Sequence, residues 1–350
     1  MLIQHKCFHT HIINDDDIKN IRNVKTLIIM AFRYGVGLWL FGELSDRFTT
    51  YHPAKGLEEK IAEASKVKNV HGLEIIYPAE FNYDQIDVVK SLLRQYRLQV
   101  AGLLVDLFAN PKWINGSLTS KDEKVRRDAL KISIEAIDVA KELGCNIVTL
   151  WLGHDGYDYP FQVNYNEKWS MLIDGVRDIA SHDINVKVAI EYKLKEPRTH
   201  IFVGTVGKAL LLVNEVNMKN VGVTFDIGHA FYSYENPAES ICLLDRYGKL
   251  FHVHFNDNYR DWDHDMIVGS VNLWDTLEAI YWLRRIGYNG WLSLDIYPYR
   301  EDVRKACERS IENIELMNKL IDKIGLDNLY KCITSEDATE IMVILRKIFE

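Results

Sequence analysis

From residue 34 onward the chain alternates short, β-rich apolar runs with longer segments at helical spacing. The runs at 35–41, 72–77, 99–105, 147–152, 187–191, 221–225, 250–255 and 290–296 read as strands. The segments at 57–66, 83–96, 122–143, 167–181, 206–216, 237–247, 271–286 and 301–322 read as helices. Thr119 and Ser120 are candidate caps for the third of these, and Gly144 is its stop signal. Parallel strands need crossover helices, so strict strand–helix alternation implies a parallel sheet. Eight such units over about 290 residues fit a closed (β/α)8 barrel of the TIM type. The alternative, an open doubly wound sheet, usually carries a glycine-rich phosphate turn after its first strand. Here that turn reads L-F-G-E-L-S at 40–45 and lacks the fingerprint. The expected organisation is an α/β chain with a leader at 1–30, the barrel at 31–322 and a small C-terminal helical extension at 323–350. Segments 326–332 and 336–349 supply the helices of that extension.

Other classes fit less well. The net charge is −8 and no basic stretch stands out, which disfavours nucleic acid as a partner. The longest apolar runs, such as 26–32, are too short to span a bilayer. The five cysteines are scattered and odd in number, the pattern of reduced thiols in a cytoplasmic protein. His5, Cys7, His9, His11 and the run Asp15 to Asp17 crowd the leader, but their spacing specifies no ligand geometry.

Active sites of these barrels lie at the C-terminal ends of the strands. Strand five ends at Glu191 and strand six at Asp226, while strand seven carries His254 and strand eight Asp295. Each is an ionisable residue in an apolar strand. Any one of them alone would suit a buried hydrogen bond. Four at the same end of consecutive strands would crowd three carboxylates together, and a divalent cation relieves that repulsion. His229, Asp263 and Asp265 follow on the adjoining loops and are candidates for a second site sharing Asp226. Mixed carboxylate and imidazole donors suit Mg²⁺, Mn²⁺ or Co²⁺. His252 shares the face of His254 and is expected one layer down as a hydrogen-bonded residue. His154 and Asp155, just past strand four, are further pocket candidates. Trp39, Phe108 and Trp151 stand near the mouth and would give flat apolar walls for substrate binding.

The stretch L-F-A-N-P-K-W-I-N-G-S-L-T-S-K-D-E-K-V-R-R-D-A-L at 107–130 resembles a long segment of the xylose isomerase family, and the resemblance extends over 34–322. Glu191, Tyr192 and Lys193 resemble that family's E-P-K, in which the glutamate binds the first metal and the lysine meets the substrate. The stretch from Asp226 to His229 resembles its metal-bridging E-x-G-H. His254 stands where its F-H-x-D has Asp, Asp263 and Asp265 resemble its D-x-D pair, and Asp295 the Asp of its last strand. The Asp226 and His254 variants are similar to rhamnose isomerases of the same superfamily. One departure concerns ring opening. The family's histidine after strand two is replaced by Ile76, with Tyr77 and Glu80 nearby.

The resemblance implies two divalent cations per chain and interconversion of an aldose and a ketose by a hydride shift between C1 and C2 of an open-chain sugar. Glu191, Asp226 and Lys193 would be the catalytic residues, with Lys193 stabilising charge on oxygen. It also implies a homo-oligomer, a dimer or tetramer. The alternatives are a ketose 3-epimerase or sugar dehydratase using one metal, a metal-dependent abasic-site endonuclease, and a non-catalytic sugar-binding protein.

Overall fold

The computed structural model describes residues 32–346. The histidines, cysteine and aspartates of the leader and the apolar run at 26–31 lie outside the described residues. Eight parallel strands form the barrel: β1 (Arg33–Gly37), β2 (Val70–Tyr77), β3 (Gln99–Val105), β4 (Ile147–Trp151), β5 (Lys187–Glu191), β6 (Val221–Asp226), β7 (Leu250–Phe255) and β8 (Trp291–Leu294). They hydrogen-bond in the order β1-β8-β7-β6-β5-β4-β3-β2 and close on themselves. The closed parallel barrel expected from the alternation is therefore the observed fold. Two short antiparallel ribbons decorate it, Leu44–Ser45 with Thr50–His52 and Gly156–Tyr157 with His200–Ile201.

Around the barrel run α1 (Leu57–Ala64), α2 (Ile86–Tyr96), α3 (Glu123–Glu142), α4 (Tyr165–Ser181), α5 (Val206–Val216), α6 (Ile227–Tyr232), α7 (Pro237–Arg246), α8 (Leu273–Arg285) and α9 (Val303–Ile324). Then come α10 (Leu326–Ser335) and α11 (Ala338–Arg346). Each barrel helix buries an apolar stripe against the strands. In α3 that stripe is Ala129, Ala136, Ile137, Val139 and Ala140, at the spacing that keeps one face inward. Among the described residues no helix is long and apolar enough to cross a membrane. Cys145, Cys242, Cys307 and Cys332 are free thiols.

Two local expectations fail for identifiable reasons. The run at 35–41 is not one strand, since β1 stops at Gly37 and Leu38–Phe41 form a 3-10 turn. A short apolar run does not distinguish a strand from a buried turn. The chain folds back so tightly here that a Cβ on residue 37 would lie 2.3 Å from the Trp39 ring, so glycine is required. The cap of α3 is Asp122, whose side chain accepts from Lys124 N, and not Thr119 or Ser120. Thr119 is committed elsewhere, as described next.

Candidate metal centre

The strands place the site. Glu191 is the last residue of β5, and Asp226 is both the last residue of β6 and the N-cap of α6. Pairing sets Asp226 beside His254 on β7, and His254 beside Ser293 on β8. Asp295 follows β8 directly and donates its backbone N–H to Phe255. Glu191, Asp226, His254 and Asp295 each present a ligand atom within 4.8 Å of the others. The four residues brought together are those singled out at the strand ends.

Each carboxylate is held by its own partners. Asp226 is fully buried, accepts from the His229 backbone N–H at 2.8 Å, and receives Asn256 Nδ2 on both oxygens at 3.2 and 3.0 Å. Gly228 makes room for that amide, because a Cβ there would lie 1.7 Å from Asn256 Oδ1. Asp295 Oδ1 accepts from Trp39 Nε1 at 3.0 Å. His254 Nδ1 lies 3.3 Å from Glu191 Oε1 and 3.8 Å from both Asp226 Oδ2 and Asp295 Oδ2.

The electrostatics follow from crowding anions where water is excluded. Burial raises the pKa of Asp226, and repulsion from Asp263 and Glu191 adds to it against the pull of His229. Burial lifts Asp295 to about 7, with Glu191 and Asp226 adding to the rise and His254 opposing it. For Glu191 burial also pushes upward, but His254 and His229 outweigh it and hold the carboxyl below its ordinary value. Without a cation the group therefore keeps protons it would otherwise release. Three convergent carboxylates and one imidazole, all oxygen and nitrogen donors, fit a hard or borderline divalent ion.

The second set is arranged differently. His229 Nε2 lies 3.2 Å from Asp263 Oδ2, and His229 Nδ1 lies 3.5 Å from Glu191 Oε1. Lys193 Nζ sits 2.9 Å from the same Asp263 oxygen and 2.8 Å from Glu196 Oε2. The ammonium thus neutralises Asp263 from within the site. Asp265 lies beside Asp263 and Asp295, and burial followed by their charges holds its pKa well above the ordinary range. His229 Nδ1 and Asp263 Oδ1 are buried without a hydrogen-bond partner. Among the described residues, His229, Asp263 and Asp265 do not join a close-set ligand group.

A cavity of about 460 Å³ opens beside Lys193, Asp263 and Asp265. Phe108 and Trp151 wall it, edge to face with ring centres 4.8 Å apart, and Lys193 Nζ lies 5.4 Å from the Trp151 ring centre. His154 lines the same cavity. Trp39 is not among its described lining residues, and its indole N–H serves Asp295. Asp155 is structural. It accepts from the backbone and hydroxyl groups of both Ser117 and Thr119, which ties the loop after β3 to the loop after β4. Tyr77 donates to Glu135, and Glu80 pairs with Lys60.

Sequence reasoning missed Glu74. It lies on β2, buried, with Oε1 2.6 Å from His252 Nε2 and Oε2 3.0 Å from His254 Nε2. The available signal was a lone carboxylate inside the apolar run G-L-E-I-I-Y. His252, expected to find a buried partner, finds this one.

A barrel whose strand ends gather three carboxylates and an imidazole beside an aromatic-walled cavity defines a class of (β/α)8 proteins with a candidate metal centre. The chain belongs to the xylose isomerase-like TIM barrel family, which matches residues 61–320. It is 26% identical over 285 residues to a xylose isomerase of Thermus thermophilus, covering 77% of this chain and 74% of that protein. To a xylose isomerase of Thermus caldophilus it is 26% identical over 219 residues, 61% of this chain and 57% of the relative. Among solved structures it resembles a D-tagatose 3-epimerase-like protein, with a TM-score of 0.65, 22% identity, and coverage of 83% of this chain and 98% of that one. It also resembles a D-allulose 3-epimerase from Methylomonas sp. in complex with D-allulose, with a TM-score of 0.63, 19% identity and coverage of 82% and 98%. At those identities the structural likeness speaks for the barrel alone.

Proposed function

We propose that this chain is a divalent-metal-dependent sugar isomerase that interconverts an aldose and a ketose. The observation that carries this reading is the convergence of Glu191, Asp226, His254 and Asp295 within 4.8 Å, next to a cavity holding a buried lysine. A divalent cation in that group, Mg²⁺, Mn²⁺ or Co²⁺, would supply Lewis acidity and a template for adjacent sugar oxygens. The protein does the rest. Phe108 and Trp151 pack on the C–H faces of the sugar and keep water from the reacting carbons. Lys193, held by Asp263 and Glu196, presents its ammonium to the oxygen on which negative charge grows. In the net reaction the hydrogen on C2 moves to C1 and the proton on O2 moves to O1, so nothing enters from solvent. In the same reading His229, Asp263 and Asp265 would hold a second cation, with Lys193 kept in place by Glu196.

A second reading is a ketose 3-epimerase working with one metal. It is favoured by the fact that, of the two sets expected at the strand ends and adjoining loops, the four-residue group closes tightly, while His229, Asp263 and Asp265 do not. One experiment separates the two. Protein stripped with chelator and restored with Mn²⁺ is offered aldoses and ketoses in D₂O and followed by NMR. Isomerisation without deuterium at C1 or C2 is the expected result. Deuterium at C3 would establish the epimerase, and turnover unaffected by chelator would refute both.

A further inference from the structure

Glu74 and His252, which lie beneath the ligand residue His254, are buried, and the proposed reaction uses neither. Their hydrogen bonding is tightly determined. An ionised carboxylate only accepts, so each imidazole facing Glu74 must carry a hydrogen on Nε2. For His254 that makes Nδ1, the atom that faces Glu191, Asp226 and Asp295, the nitrogen that would give up its proton and offer a lone pair to a cation. For His252 no other arrangement is cheap. Its Nδ1 is buried without a partner, and a hydrogen placed there would be an unsatisfied donor.

We propose that Glu74 is the positioning residue of this metal centre, accepting the Nε2 hydrogen of His254 and thereby fixing Nδ1 as the ligand atom. This rests on the reading of the strand-end group as a metal site. Carboxylates that take the far nitrogen of a ligating histidine orient the ring and raise its basicity. Here one carboxylate serves two rings, and the lower ring locks the upper one. Consider Glu74→Gln, which keeps the shape. An amide offers one acceptor and one donor, so one of the two histidines must move its hydrogen to Nδ1. His252 would strand that hydrogen in the core, whereas His254 would find Glu191 Oε1 at 3.3 Å. His254 is therefore the ring that switches, and its ligand nitrogen becomes blocked.

The test uses the full chain and Zn²⁺ as a diamagnetic probe. Zinc affinity is measured by competition with a chelating dye for the wild type and Glu74→Gln, and the expected loss is about 10- to 100-fold. Without relying on the Glu74 variant, ¹⁵N-histidine NMR of zinc-loaded wild type reads the hydrogen positions. The His254 signal is assigned by its absence in His254→Asn. The expected spectrum has His254 with hydrogen on Nε2 and zinc on Nδ1. Hydrogen on His254 Nδ1 would overturn the proposal, as would a folded Glu74→Gln protein that binds zinc as tightly as wild type. Zinc on the Nε2 atoms of both histidines would put the ion in the lower triad and overturn it too. If wild type binds no zinc, the metal-centre reading itself has failed.

Discussion

Trp39 Nε1 donates to Asp295 Oδ1 at 3.0 Å, which leaves Oδ2 as the oxygen facing His254. One bond thereby decides which way the carboxylate of the last strand points. Trp39→Phe keeps an aromatic ring and removes the donor. Partners of this kind typically contribute 10- to 100-fold in affinity or activity, so the variant is expected to bind Mn²⁺ about tenfold more weakly with little change in folding. Titration of metal-free protein checks it, and an unchanged dissociation constant would show that Asp295 is oriented by something else.

Lys193 is buried and paired with Asp263 and Glu196. If its ammonium stabilises charge that develops only during reaction, Lys193→Met should lower kcat by about 10²- to 10³-fold. KM should change much less, because the ground-state sugar is held mainly by other groups. Steady-state kinetics on the substrate found by NMR decides this. A rise in KM at constant kcat would make Lys193 a binding group only.

The site should be strongly pH-dependent. Asp295 must lose its proton to bind a cation, and it titrates at about 7 in the metal-free protein. Below that value each displaced proton weakens metal binding about tenfold per pH unit. The stability of the metal-free protein runs the opposite way. His229 is raised from 6.5 to about 9, because Asp226 and Asp263 outweigh its burial, and Asp295 is raised from 3.8 to about 7. The folded state holds these protons more tightly than the unfolded chain, so the stabilisation is full at low pH and lost as pH rises through the folded values. Between about pH 6 and 9 the melting temperature of chelated protein should fall. Saturating Mn²⁺ should flatten that slope, and a melting temperature that rises with pH in the chelated protein would contradict this charge distribution.

The barrel was legible because alternation is a local signal repeated many times. The strand-end residues were legible because an ionisable side chain in an apolar strand is conspicuous. What escaped depends on contacts distant in sequence. Glu74 meets His252 and His254 from 178 and 180 residues away, and no spacing announces that pairing. Trp39 looked like a pocket wall because its ring is apolar, while its N–H is spoken for by a carboxylate 256 residues on. Asp155 looked like a pocket residue because of its place after β4, yet the 107–130 loop takes up both its oxygens. Glu74 was not singled out at all, and for Trp39 and Asp155 the sequence carried no sign of the polar partners they meet.

On the proposed reading, Glu191, Asp226, His254 and Asp295 form one cation site. Electron paramagnetic resonance of free Mn²⁺ during titration of chelator-stripped protein measures this directly. Wild type should take up Mn²⁺ stoichiometrically, and Asp226→Asn should bind at least about 100-fold more weakly while remaining folded. Equal uptake by wild type and Asp226→Asn would contradict the account.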